Sequence, residues 1–151
     1  MTNEELKTQL PTLLPSIEFE EGGEWINVFV TPAEFRNFAQ ALRNTNGLDF
    51  DFLFCLTCID WKTHFTMVYH FTSTIHRHQL VVKSKLDRNQ PEIDTICDIW
   101  RTAELHEREV YDLFGVKFIN HPDLRRLLLT DDWVGYPLRK DYEDPINMIK
   151  L

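Results

Sequence analysis

Three runs rich in aromatic and β-branched residues follow one another closely: FDFLFCLTCID (50–60), FTMVYHF (65–71) and HRHQLVVKSKL (76–86). Such runs read as strands, and the first is apolar enough to be buried on both faces, which places it centrally in a sheet. Upstream, SIEFE (16–20) and EWINVFV (24–30) flank the turn residues Glu21-Gly22-Gly23 and read as a hairpin.

Helices are marked by their ends. Thr2 with Glu5 forms a capping box for a short first helix that Pro11 and Pro15 keep short. Thr31-Pro32-Ala33-Glu34 supplies a cap, a first-turn proline and a capping carboxylate, and the helix that follows carries Phe35, Phe38, Ala39 and Leu42 on one stripe before stopping near Asn46-Gly47. Pro91 opens a short helix to about Trp100, and a second runs from about Thr102 to Phe114, ended by Gly115. The chain shows no regular βαβα alternation and no internal repeat. The expected fold is a two-layer α+β single domain, a mixed or antiparallel sheet with helices on one face. Residues 1–115 are expected to form its core, and 116–151 an irregular C-terminal docking segment of the same domain.

Composition narrows the function. A chain of 151 residues that is 43% apolar suffices for one domain with a real core. A net charge of -8 argues against a phosphate-backbone binder, which needs an excess of Lys and Arg. The start lacks the pattern of a secretory signal and no apolar run approaches the ~20 residues that span a bilayer, so a cytosolic or peripheral protein is expected. Three cysteines, Cys55, Cys58 and Cys97, do not read as a disulfide framework.

Candidate chemistry is sparse. Cys55 and Cys58 have half-site spacing, but residues three apart in a strand point to opposite faces, so core cysteines are the simpler reading. His76 and His78 share a face of their strand and mark an exposed sheet edge rather than a metal site. On the helix LHEREVYDLFG (105–115), Ala103, His106, Val110, Leu113 and Phe114 form the packing stripe. Glu104, Arg108 and Asp112 form an outer i, i+4 ladder, each pair contributing only about 0.3–0.5 kcal/mol when exposed. No nucleophile, glycine-rich phosphate loop or GxGxxG accompanies its carboxylates.

The run that follows, HPDLRRLLLTDDWVGYPLRKDY (121–142), crowds Arg, Lys, Asp, Trp and Tyr into a segment without periodicity. From Glu107 to Asp141 the pattern closely resembles the signature of the 30-kDa subunit family of proton-pumping NADH:quinone oxidoreductase, respiratory complex I. Glu107, Arg108, Glu109, Asp112, Leu113, Phe114, His121, Arg125, Leu127 and Leu128 fill its places in register, and Trp133, Gly135, Pro137, Leu138, Arg139, Lys140 and Asp141 also match.

The resemblance implies a non-catalytic hydrophilic-arm subunit with no cofactor of its own; FMN and iron–sulfur clusters belong to partner subunits. It implies a hetero-oligomer, beside the 49-kDa-type quinone-site subunit and the iron–sulfur subunits, on the cytoplasmic side of the bacterial inner membrane. Aromatics and Arg anchor interfaces, which need about 800 Å² per partner for a stable contact. Arg125, Arg126, Trp133, Arg139 and Lys140 are therefore assigned to docking, and Glu107, Arg108, Glu109 and Asp112 to holding the tail to its helix. The alternatives are the equivalent subunit of a membrane-bound nickel–iron hydrogenase or of a ferredoxin- or deazaflavin-fed quinone reductase, and a free-standing metal-dependent enzyme using Glu107, Glu109 and His121.

Overall fold

The computed structural model describes residues 2–149. Three helices and seven strands run in the order α1 (Asn3–Leu13), β1 (Glu18–Glu20), β2 (Ile26–Phe29), α2 (Pro32–Asn44), β3 (Phe52–Asp60), β4 (His64–Thr72), β5 (Gln79–Asp87), β6 (Glu92–Asp94), α3 (Ala103–Phe114) and β7 (Lys117–Ile119). The larger sheet has the order β1-β2-β5-β4-β3; β2 and β5 are parallel and the other pairs antiparallel.

Side-chain alternation sorts this sheet into a covered and an open face. Val28, Val82, Tyr69 and Leu56 lie across from one another in register and are buried, as are Leu80, Phe71 and Leu53 in the next row. Against them pack the α2 stripe of Phe35, Phe38, Ala39 and Leu42, together with Leu6 and Leu10 of α1 and Ala103 and Val110 of α3. Phe35 meets Tyr69 at 4.4 Å and Trp100 meets Phe71 at 4.7 Å between ring centroids. Burying each such ring contributes about 1.5–3 kcal/mol, so this layer is the main source of stability. The open face carries a smaller aromatic group, Trp25, Phe54 and His70.

The helix ends follow the sequence. Thr2 and Glu5 exchange backbone-to-side-chain bonds at 2.8 and 3.3 Å, and the helix passes through Pro11 in its last turn before stopping at Leu13. At α2, the Thr31 hydroxyl donates to the Glu34 carboxylate rather than accepting from the backbone.

Several expectations are corrected. β3 lies at the edge of the sheet, not its centre; its apolar residues face α3 on one side and the Trp25 group on the other. The helix expected from Pro91 is instead the strand β6 followed by a single turn at 96–100. β6 pairs in parallel with β7, inside the segment expected to be irregular, and this buries Ile93 and Phe118. His76 lies in the turn before β5 beside Asp49, at 2.8 Å, while His78 is buried and bonded to the Leu48 carbonyl at 2.7 Å. Neither histidine marks an exposed edge. Cys55 and Cys58 do lie on opposite faces, opposite His70 and Met67, and burial pushes the Cys58 thiol up to about 12.

The Tyr69 hydroxyl is buried and has no hydrogen-bond partner among the described residues. Removing an unpaired buried polar group relieves a desolvation cost of about 1–3 kcal/mol. Tyr69→Phe is therefore expected to leave stability to urea unchanged or raised; a loss above about 1 kcal/mol would show that the hydroxyl has a partner in solution.

Candidate functional site

Helix α3 presents charged side chains inward, toward the chain that follows it. Glu107, Arg108 and Asp112 are all buried, so the outer ladder of Glu104, Arg108 and Asp112 expected from spacing does not form. Arg108 instead donates to the carbonyls of Arg125 (3.2 Å) and Arg126 (3.0 Å). One turn on, the Asp112 carboxylate accepts the backbone N–H groups of Leu127 (3.1 Å), Leu128 (2.6 Å) and Leu129 (3.0 Å) on one oxygen, and the Arg126 guanidinium (2.9 Å) on the other. Burial alone would raise the Asp112 carboxyl; the bonds from Leu129, Leu128, Arg126 and Leu127 outweigh it and hold the group below the ordinary carboxylate range.

Arg126 carries the clamp further. Its remaining donors reach the carbonyls of Asp112 (2.8 Å), Trp133 (3.1 Å) and Gly135 (3.0 Å), and its guanidinium lies 5.3 Å from the centre of the Tyr136 ring. A planar five-donor fork suits this task and an ammonium does not. Tyr136 in turn sits against Gly115, the αL residue that ends α3 at φ 76°. A Cβ there would lie 2.6 Å from the Tyr136 ring and 2.8 Å from an Arg139 nitrogen, so Gly115 serves both the helix end and the approach of the tail.

The far end of the tail is held by a second carboxylate. Asp60, buried at the end of β3, accepts from Arg88 (2.9 and 3.1 Å), from the backbone N–H of Lys62 (2.7 Å) and from that of Lys140 (2.9 Å). The Arg88 guanidinium beside it holds its carboxyl well below the usual range. Arg88 also grips Asp141 at 2.7 and 3.1 Å, so Asp141 is an internal contact. Asp60 and Arg88 escaped the sequence reading; the available signal was a carboxylate closing an apolar strand, a charge that needs a buried partner.

The assigned roles therefore shift. Arg126 and Arg139, expected to dock a partner, are committed within the chain: Arg139 donates to the Phe114 carbonyl at 2.6 Å and lies over the rings of Phe65 and Tyr136. Trp133 is half-buried, and its indole N–H finds no acceptor among the described residues. Arg125 stays exposed, its side chain paired with Asp123 at 3.0 Å, and Lys140 is exposed, its Nζ 5.9 Å from the centre of the Trp61 ring. Glu109 is exposed, whereas Glu107 binds the turn after β6. The outward side of the clamped tail shows Leu127, Leu128, Val134 and Leu138, with Leu128 65% and Val134 87% exposed.

A metal-ligating combination of Glu107, Glu109 and His121 is not assembled. The atoms that do converge, within 4.8 Å, belong to Cys97, Glu107 and His121. His121 Nδ1 accepts the Asp123 backbone N–H at 3.0 Å, so the ring proton sits on Nε2 and is donated to the Glu104 carbonyl at 3.1 Å. Ligation through Nε2 would force that proton onto Nδ1, against the Asp123 N–H. The trio fits protons better than a cation.

Replacing Asp112 by Ala leaves Arg126 and three N–H groups without their acceptor, and a loss of about 3–5 kcal/mol in urea unfolding is expected. Because the folded carboxyl is lowered, its contribution is present above about pH 4 and is lost as pH falls through the folded value. The stability difference between wild type and Asp112→Ala should accordingly shrink on acidification; a difference independent of pH would contradict the ion-pair account.

Comparison with known proteins identifies a family. Residues 28–146 match the model of the family described as respiratory-chain NADH dehydrogenase, 30 Kd subunit. An NADH-quinone oxidoreductase subunit of Moorella thermoacetica is 40% identical over 137 residues, covering 89% of this chain and 90% of that one. An NADH-quinone oxidoreductase subunit of Phocaeicola vulgatus is 46% identical over 122 residues, 80% of this chain, which spans only 23% of that longer protein. Among solved structures, a chain of the membrane-bound sulfane sulfur reductase, an archaeal respiratory membrane complex, superposes with a TM-score of 0.80 at 28% identity, over 93% of this chain and 85% of that one. The match over residues 28–146 and the 40% identity across nearly the whole of both chains make this chain a member of the 30-kDa subunit family of respiratory-chain NADH dehydrogenase.

Proposed function

We propose that the chain is a non-catalytic, hydrophilic-arm subunit of NADH:quinone oxidoreductase that scaffolds the 49-kDa-type quinone-site subunit and the iron–sulfur subunits. Electron transfer from NADH to quinone, coupled to proton translocation, runs on FMN and clusters held by those partners. The carrying observation is the tail itself: α3 bonds its backbone at residues 125–129 and Asp60 bonds it at Lys140, while Leu127, Leu128, Val134 and Leu138 are exposed. Apolar side chains on a rigid, prefolded support bind with less ordering cost than a tail that folds on contact. No helix among the described residues is long and apolar enough to cross a membrane. Peripheral attachment through the partners, on the cytoplasmic side of a bacterial inner membrane, accords with that.

The likeness to the membrane-bound sulfane sulfur reductase favours a second reading, the equivalent subunit of a related respiratory complex with another electron donor or acceptor. The partners separate the two: a flavin-bearing NADH-oxidising subunit recovered with the tagged chain supports the first, and its replacement by hydrogenase- or sulfur-reductase-type subunits supports the second.

Leu128→Glu, Val134→Glu and Leu138→Glu, made singly, should leave the unfolding free energy of the isolated chain within about 0.5 kcal/mol of wild type, since all three are exposed. Each should lower the recovery of flavin- and cluster-bearing subunits with the tagged chain. Undiminished recovery in all three would contradict docking through this surface.

A further inference from the structure

The Glu107 carboxyl is fully buried between α3 and the turn after β6. One oxygen accepts the Ile96 backbone N–H at 2.9 Å and the other bonds the Thr95 hydroxyl, whose oxygen also accepts the Cys97 N–H at 3.2 Å. No Lys or Arg ion-pairs with it among the described residues. His121 Nε2 lies 3.7 Å away, but its proton is committed to the Glu104 carbonyl and its Nδ1 to the Asp123 N–H.

The surrounding groups do not compensate a charge there. Arg36, reaching in from α2, is held by both oxygens of Asp98 and by the Thr95 carbonyl. Cys97 and Asp98 come from the turn, Glu104 from the first turn of α3, and the buried Tyr69 from β4; each is neutral or acidic. Burial is the dominant influence and pushes the Glu107 carboxyl up to about 7, against the bonds from Ile96 and Thr95; Asp98 adds to the rise and Arg36 opposes it.

We propose that Glu107 is a protonation-dependent latch, neutral when it pins the Thr95–Cys97 turn and the His121 corner to α3, and weakened when it ionises. In the neutral form one oxygen keeps the Ile96 N–H and the other stays hydrogen-bonded to the Thr95 hydroxyl, so neither carboxyl oxygen needs a cation. The ionised form leaves a buried charge that has two hydrogen-bond donors but no ion-paired Lys or Arg among the described residues. His121 opens the segment that Arg108 and Asp112 hold, so the latch acts at the root of the tail. The folded value lies above the unfolded 4.5, so the latch stabilises fully below the unfolded value and its contribution is lost as pH rises through about 7.

The test uses the full chain, carboxyl-carbon NMR of glutamate and thermal unfolding from about pH 5 to about pH 9. A glutamate resonance missing from Glu107→Gln should titrate near neutrality, and the melting temperature of wild type should fall across this range by about 4–8 °C relative to Glu107→Gln. Titration in the ordinary carboxylate range, or parallel melting profiles, would overturn the proposal. Should Glu107→Gln fail to fold, the Glu107 resonance is assigned through its backbone correlations and Thr95→Val decides: loss of a bond that favours the charged form should move that titration to higher pH, and an unmoved titration would overturn the latch.

Discussion

One buried carboxylate organises the C-terminal part of this molecule. Asp112 lies on the inner side of α3, and its two oxygens gather three consecutive N–H groups and a guanidinium from the chain that passes beside it. An uncompensated carboxylate at that depth would be costly, and three backbone N–H groups in a row without an acceptor would be as bad. Each solves the problem of the other. Arg108 takes the preceding carbonyls, so α3 holds segment 125–129 mainly by its backbone, with Arg126 the one side chain that bonds Asp112. Leu127 and Leu128 are thereby free to face outward.

The same logic recurs at Asp60, where a buried carboxylate closes a strand, meets Arg88 and fixes the backbone at Lys140. Between these two anchors, Arg126 and Arg139 lie over Tyr136, which nests against the glycine at the end of α3. A protein of net charge -8 thus concentrates its buried ion pairs at one place, the attachment of an otherwise irregular tail. Buried pairs are weak evidence for stability as such, because apolar replacements often do as well. What they supply here is a fixed path for a chain with little regular structure of its own.

Elements defined by local period and local caps were readable in advance. The β1–β2 hairpin, the α2 stripe, the end of α3 at Gly115 and the mixed sheet with helices on one face follow from such patterns. β6 and β7 were not readable, because two three-residue strands paired in parallel across the whole of α3 leave no trace in either segment alone. Nor was the inward turn of Arg108 and Asp112: spacing places both on one side of the helix, but whether that side meets water or protein depends on where the tail returns. The edge position of β3 has the same origin, since its apolar residues answer to α3 and the Trp25 group, not to strands on both sides. The signature residues themselves were visible, while their division into clamp and outward surface required the fold. Two of the four expected docking cations, Arg126 and Arg139, proved to be clamp.

The central claim is that the tail is seated on the domain before any partner arrives, with Asp112 as its main fastening. Amide hydrogen exchange of the isolated chain at Leu127, Leu128 and Leu129 measures this directly. Those three N–H groups should exchange slowly, with protection approaching that of the β4 and β5 amides, and should lose it together in Asp112→Ala. Exchange at the rate of an unstructured peptide in the wild-type chain would mean that the tail is ordered only by its partner.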